Sequence, residues 1–162
     1  MPNLFPATGG WTPVAGLERD SGLETAERGT AERPLSAPEA SLQELLDRLV
    51  ASVPGTIGAV VAHRNGLPIA SSMRSRKRVE LIAVSAMAAL AIEVGVSVAR
   101  NLDYQGMQTV TVEGGTWKVV VGATASGSAI LLIMLEEPVN LGLLKLSLPR
   151  YLDSIDLEIA RL

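Results

Sequence analysis

Few side chains in this sequence are of a type that does covalent chemistry, and they are not spaced to work together. His63 is the only histidine, and there is no cysteine. Cysteine nucleophiles, thiolate metal sites and disulfides are therefore excluded. His63 falls in His63-Arg64-Asn65-Gly66, which reads as a turn, and no local pattern pairs it with a nucleophile. Glu136 and Glu137 are adjacent, and consecutive residues at a helix start point in different directions. They read as partners of a helix dipole rather than as an acid/base pair. There is no HxxxH and no acidic calcium loop. Gly9-Gly10 and Gly114-Gly115 lack the context of a P-loop or a dinucleotide fingerprint. No catalytic residue, cofactor-binding residue or metal ligand is assigned. The chain reads as a non-enzyme that does not hydrolyse nucleotide by itself.

The charge run is a different matter. Residues 73–78, MRSRKR, place Arg74, Arg76, Lys77 and Arg78 in one short loop, a candidate partner-binding site for phosphate, nucleic acid or an acidic protein surface. The run leads into a helix start, where cations oppose the helix dipole. That mismatch hints at a role beyond structure, and the plainer reading is a solvated loop. Nucleic acid is disfavoured as the partner: net charge is −3, and only 3% of residues are aromatic.

The elements that position these residues follow from periodicity. Leu42, Leu45, Leu46, Leu49, Val50 and Val53 mark one face of a first helix, with a capping box expected at Ser41–Glu44 and a stop at Pro54-Gly55. Residues 57–62 and 67–72 read as two strands, joined by a tight hairpin in which Asn65-Gly66 supplies both positive-φ positions. Pro68 belongs at a strand start or on an edge. Residues 107–113 alternate polar and apolar, 116–123 follow after Gly114-Gly115, and the fully apolar 129–135 reads as a central strand. Glu136-Glu137-Pro138 suits the first turn of a last helix. Leu141, Leu144, Leu148, Leu152, Ile155 and Ile159 carry its face, Pro149 kinks or splits it, and Ser147 caps a second segment.

Between the two strand groups lies residues 79–101, VELIAVSAMAALAIEVGVSVARN, the stretch on which the chain turns. It reads as one long helix without proline. Met87, Ala91, Val94 and Val98 lie on one side, and Leu81, Val84, Ala88 and Ile92 continue round. Only Ser85, Glu93, Ser97 and Arg100 form a narrow polar strip. A helix apolar over more than one stripe is covered on more than one face. A sheet of its own covers one, and a second chain or a loop must cover the rest. Ala83, Ala86, Ala88, Ala89 and Gly95 would permit close backbone approach. The competing reading is a core helix wrapped entirely by its own domain.

Residues 1–38 differ in composition, with recurrent Gly and Pro and an acidic excess, and read as a disordered tail before a domain at 39–162. Leu4, Phe5, Trp11 and Val14 form a candidate docking motif within it. No run reaches the length of a membrane span with suitable flanks, because Glu80, Glu93 and Arg100 break the long helix. The start lacks a signal-peptide pattern. The reading is soluble and cytoplasmic.

The order helix, strand, strand, helix, strand, strand, strand, helix, together with VPGTIGAVVAHRNGLPIASS at 53–72 and Leu141-Gly142-Leu143 after the apolar strand, resembles the Roadblock (dynein light chain) family, especially its MglB-like prokaryotic branch. The chain carries Asn65-Gly66 where the family commonly has Asp-Gly. The resemblance implies an α+β fold, a five-stranded antiparallel sheet with packed helices in the order αββαβββα. It implies a homodimer in which the long helices pair and the third strands join the two sheets. Ala83, Ala86, Ala89, Leu90, Glu93, Ser97, Thr109 and Thr111 are the expected contacts. It also implies regulation or scaffolding of a Ras-like small GTPase, and no arginine finger is assigned among Arg74, Arg76, Arg78 and Arg100. The alternative is a structural adaptor, a light-chain-like subunit of a larger assembly that ignores nucleotide. A small-molecule sensor ranks third, because aromatic and convergent polar residues are scarce.

Overall fold

In the computed structural model, which describes residues 36–74 and 79–162, the strand residues 129–136 are buried on both sides. Side chains alternate across a strand. Leu131, Ile133 and Leu135 therefore enter one core, and Ile130 and Leu132 enter another. The elements are α1 (Ala37–Ser52), β1 (Thr56–His63), β2 (Pro68–Met73), α2 (Leu81–Asn101), β3 (Thr109–Glu113), β4 (Trp117–Ala123), β5 (Ala129–Glu136) and α3 (Leu141–Ile159). The fold is α+β, with the order αββαβββα and one five-stranded antiparallel sheet, β2-β1-β5-β4-β3. Helices α1 and α3 cover one face over Ala59, Ile133 and Val120. Helix α2 alone covers the other, over Val60, Leu132 and Val121. Each trio is one cross-strand row, with Val60 opposite Leu132 and Leu132 opposite Val121.

Several local expectations give way to tertiary context. The capping box lies earlier than expected: Ser36 Oγ accepts from Glu39 N, and Glu39 reaches back to the Ser36 amide at 2.7 Å. Ser41 sits inside α1, behind a Pro38 that suits a first turn. The β1–β2 hairpin is not the tight primed turn. Gly66 is at φ +84 and Asn65 is not at positive φ. The Gly66 amide donates to His63 O at 2.8 Å and the His63 amide to Leu67 O at 2.8 Å. That pattern is a turn followed by a left-handed glycine. Asn65 contributes through its side chain, accepting from the Leu67 amide at 3.1 Å. Glu136 ends β5 rather than opening a helix, and the Glu137–Pro138 peptide is cis. Helix α3 starts at Leu141, where Asn140 Oδ1 accepts from Leu143 N at 2.9 Å. It runs unbroken through Pro149. Ser147 does not cap a second segment; its hydroxyl donates back to Leu143 O and Leu144 O, at 3.0 and 3.1 Å. Strand β2, with Pro68 first, forms one sheet edge.

Side-chain ties fasten the layers. Asp47 of α1 accepts from Ser72 of β2 at 2.5 Å. The Lys118 ammonium bridges Glu113 at 3.2 Å and Glu137 at 3.4 Å, and the bond to Glu113 holds it protonated above its ordinary range. Asp156 of α3 accepts from the Ser126 hydroxyl and, at 3.0 Å, from the Ser126 amide, pinning the β4–β5 loop. Those bonds, the Ser126 hydroxyl foremost, lower the Asp156 pKa. A carboxylate whose folded pKa is depressed adds stability that is full above its unfolded value, near 3.8, and is lost as pH falls through the lower folded value. Asp156→Asn is expected to cost about 1 kcal/mol at neutral pH, after solvent screening. The gap to wild type should close at acid pH, below that value. Urea unfolding at pH 7 and in an acid series checks both, and a gap independent of pH would refute the assignment.

Candidate interaction face

Helix α2 packs on its own sheet through Ala88 and Ile92, with Leu81 and Val84 beside them, and leaves several large apolar side chains in solvent. Ser85, Ala88 and Ile92 are buried, and Ala89, Ala91 and Gly95 are half-buried. A Cβ on Gly95 would stand 2.6 Å from Met107 Sδ and 2.7 Å from Val110 Cγ2, so this glycine is needed for close approach to the β3 side. On the outward side, Ile82 is 67% exposed, Met87 66%, Leu90 61% and Val94 62%, with Val98 beside them. Side chains of this size gain roughly 1.5–3 kcal/mol each on full burial. An exposed apolar surface of this kind is a candidate interaction site. Strand β3 is the neighbouring sheet edge, with an outer side that pairs with no other strand among the described residues and Val112 exposed on it. Tyr104, 70% exposed, and Leu102 extend the apolar surface past the end of α2.

Helix α2 is long and apolar enough to cross a membrane by length and composition, which corrects the expectation that its charged residues exclude such a run. In this fold one side of it packs on the sheet through Ala88 and Ile92. Ser85, expected in the polar strip, is buried, and its hydroxyl has no hydrogen-bond partner among the described residues.

The expected contact residues divide. Ala83, Ala86, Leu90, Glu93 and Ser97 lie on the outward side; Ala89 is half-buried and packs toward the sheet. Ala86 is also where the hairpin lies against the helix, since a Cβ on Gly66 would stand 2.8 Å from Ala86 Cα. Thr109 and Thr111 sit on β3, alternating with Val110, which packs under α2. They therefore point to the opposite face of the sheet. Arg74 closes the β2 end, its amide donating to Ile57 O at 2.9 Å. Arg76, Lys77 and Arg78 lie outside the described residues, as do residues 1–35 with the tail and the Leu4–Val14 motif. Ile82, Met87, Val94 and Val98 are not among the expected contacts. Their signal is their size within an otherwise small-residue helix.

A cleft of about 370 Å³ opens between the second half of α2 and the sheet, with buried Ile92 and Ile130 inside it and Arg64, Glu93, Ser97 and Arg100 around it. Both charge signs line it, so it selects no one ligand class. His63 is exposed, and no group of metal-ligating side chains gathers among the described residues.

Comparison with known proteins decides the family. The model of the Roadblock/LC7 domain matches residues 42–135, more than half of the chain. The chain belongs to the Roadblock/LC7 family. The matched part of this Roadblock/LC7 chain runs from α1 to the end of β5 and includes all of α2. An uncharacterised protein of Methanocaldococcus jannaschii is 27% identical over 117 residues, covering 70% of this chain and 96% of that one. Among solved structures, the gliding protein MglB of Thermus thermophilus superposes with a TM-score of 0.71 at 19% identity, covering 79% of this chain and 95% of that one. A Roadblock/LC7 domain of Streptomyces avermitilis gives 0.65 at 20%, covering 73% and 97%. Myxococcus xanthus MglB gives 0.68 at 14%, covering 79% and 95%. At these identities the structures establish the shared fold.

The buried, unpartnered Ser85 hydroxyl yields a prediction of its own. Removing a polar group that folding leaves without a partner does not destabilise. Ser85→Ala should be neutral or raise stability by up to about 1 kcal/mol. A thermal melt measures it, and a clear loss would show that the hydroxyl is bonded.

Proposed function

We propose that this Roadblock/LC7 protein acts by binding, as a homodimeric regulator or scaffold of a Ras-like small GTPase. One observation carries the reading: the outward face of α2, with Ile82, Met87, Leu90 and Val94 in water and, beside it, a β3 edge unpaired among the described residues. A second copy laid helix to helix buries those side chains, and the same geometry brings the two β3 edges together. The family resemblance supplies the GTPase as partner, with the paired helices as its platform and the Arg74–Arg78 segment as an acidic partner's contact. The soluble, cytoplasmic setting belongs to the same reading.

Two measurements test it. Leu90→Glu places a charge at the centre of the outward face without touching the core. It should weaken the dimer by at least about tenfold and halve the mass seen by light scattering; an intact dimer would remove α2 from the interface. Pull-downs from the source lysate, in GTP analogue and in GDP, test the partner. A small GTPase retained only with the GTP analogue supports regulation. Capture blind to nucleotide moves the function to a structural adaptor.

A further inference from the structure

Helix α3 carries a second exposed seam, on the far side of the sheet from α2. Its inward residues Leu144, Leu148, Leu152 and Ile155 are buried with α1. Its outward residues Leu143, Leu146, Arg150, Asp153 and Leu157, with the following Ala160, are all exposed, and Leu146 at 79% is the most exposed large apolar residue among those described. Their spacing is three, four, three, four, three. That is the seam of a heptad repeat, in which alternate steps of three and four keep one stripe facing a partner helix.

The spacing of the seam is symmetric about its centre, and the residue types on its two halves are complementary. Antiparallel pairing with a second copy sets Leu146 against Leu157 of the other chain and Arg150 against Asp153, and each contact occurs twice. Leu143 meets Ala160 at the ends. A two-fold interface has this property, that residue i meets j and j meets i. The parallel arrangement would set Arg150 against Arg150 and Asp153 against Asp153, and like charges across a contact are disfavoured. Neither Arg150 nor Asp153 makes an ion pair within the chain among the described residues.

We infer that the outward seam of α3 is a self-association surface that pairs antiparallel with the same seam of a second copy. The occupant is this chain itself, selected by the Leu146–Leu157 and Arg150–Asp153 complementarity. A single helix pair is small beside a standard interface, so the contact is weak and depends on concentration. It is independent of the α2 face and of the GTPase reading. A chain that pairs through both faces carries two different two-fold contacts, and so builds assemblies larger than a dimer.

The absence of native cysteine makes the test direct. Purified Leu146→Cys and Leu157→Cys proteins are oxidised separately and as a mixture. The mixture should give a covalent heterodimer in at least about tenfold excess over either protein alone, because position 146 faces 157 and not itself. Equal cross-linking in all three samples, or none in the mixture, would overturn the pairing. Sedimentation equilibrium gives the second readout, on protein verified as folded by circular dichroism. Arg150→Asp should weaken self-association at least about fivefold, and Arg150→Asp with Asp153→Arg should restore it. A double variant as weak as the single one would overturn the charge match. Both readouts are blind to whether α2 pairs, so failure here leaves the α2 reading standing, and a failed Leu90→Glu test leaves this one standing.

Discussion

A sheet has two faces, and this chain covers them unequally. Helices α1 and α3 share one face, whereas α2 covers the other alone. Every other feature of the domain adjusts to that imbalance. The strands β1 and β5 must be apolar on both sides, because both faces are dry at the centre. Gly95 lets α2 sit close to Met107 and Val110, while Ile92 and Ala88 fill the space over the sheet and Met87, Leu90 and Val94 remain outside. The apolar outward face is thus the other side of an asymmetric packing solution.

The same imbalance explains what sequence reading reaches and where it stops. Strand and helix order is legible from alternation and from the 3.6-residue apolar stripes of α1 and α3. Helix α2 has no clean polar side, so its rotation about its own axis is not legible. Ser85 reads as part of the polar strip and is buried, whereas Met87 and Ala91, read on one apolar side, divide into an exposed and a half-buried residue. Boundaries fail for a related reason. Ser41–Glu44 and Ser36–Glu39 both satisfy the spacing of a capping box, and the helix begins at the earlier one, with Pro38 in its first turn. Glu136 resembles a first-turn acid, but the β4 ladder, where Trp117 is its partner in register, and the Gly55 carbonyl, which accepts from its amide, claim it for the strand. Pro149 reads as a break in α3. Its missing amide removes one bond, and the buried Leu144, Leu148, Leu152 and Ile155 hold the helix together around it.

Fixation of the layers relies on a few polar ties placed where apolar burial alone leaves freedom. Asp47–Ser72 secures the β2 edge under α1, Lys118 gathers the β3–β4 hairpin and the segment after β5, and Asp156 holds the β4–β5 loop. None of them lies on the outward face of α2.

The strand order has a consequence for synthesis. Strand β1 pairs with β2 at once, but its other neighbour is β5, nearly half the chain later. At about 5–20 residues per second, β1 waits roughly 4–15 s for that partner to leave the ribosome. Throughout that interval the nascent chain holds an open strand edge, and α2 emerges with no completed sheet beneath it. A chain of this topology therefore spends its most aggregation-prone seconds with both sides of α2 in water, and it is then that it most resembles a client for a chaperone.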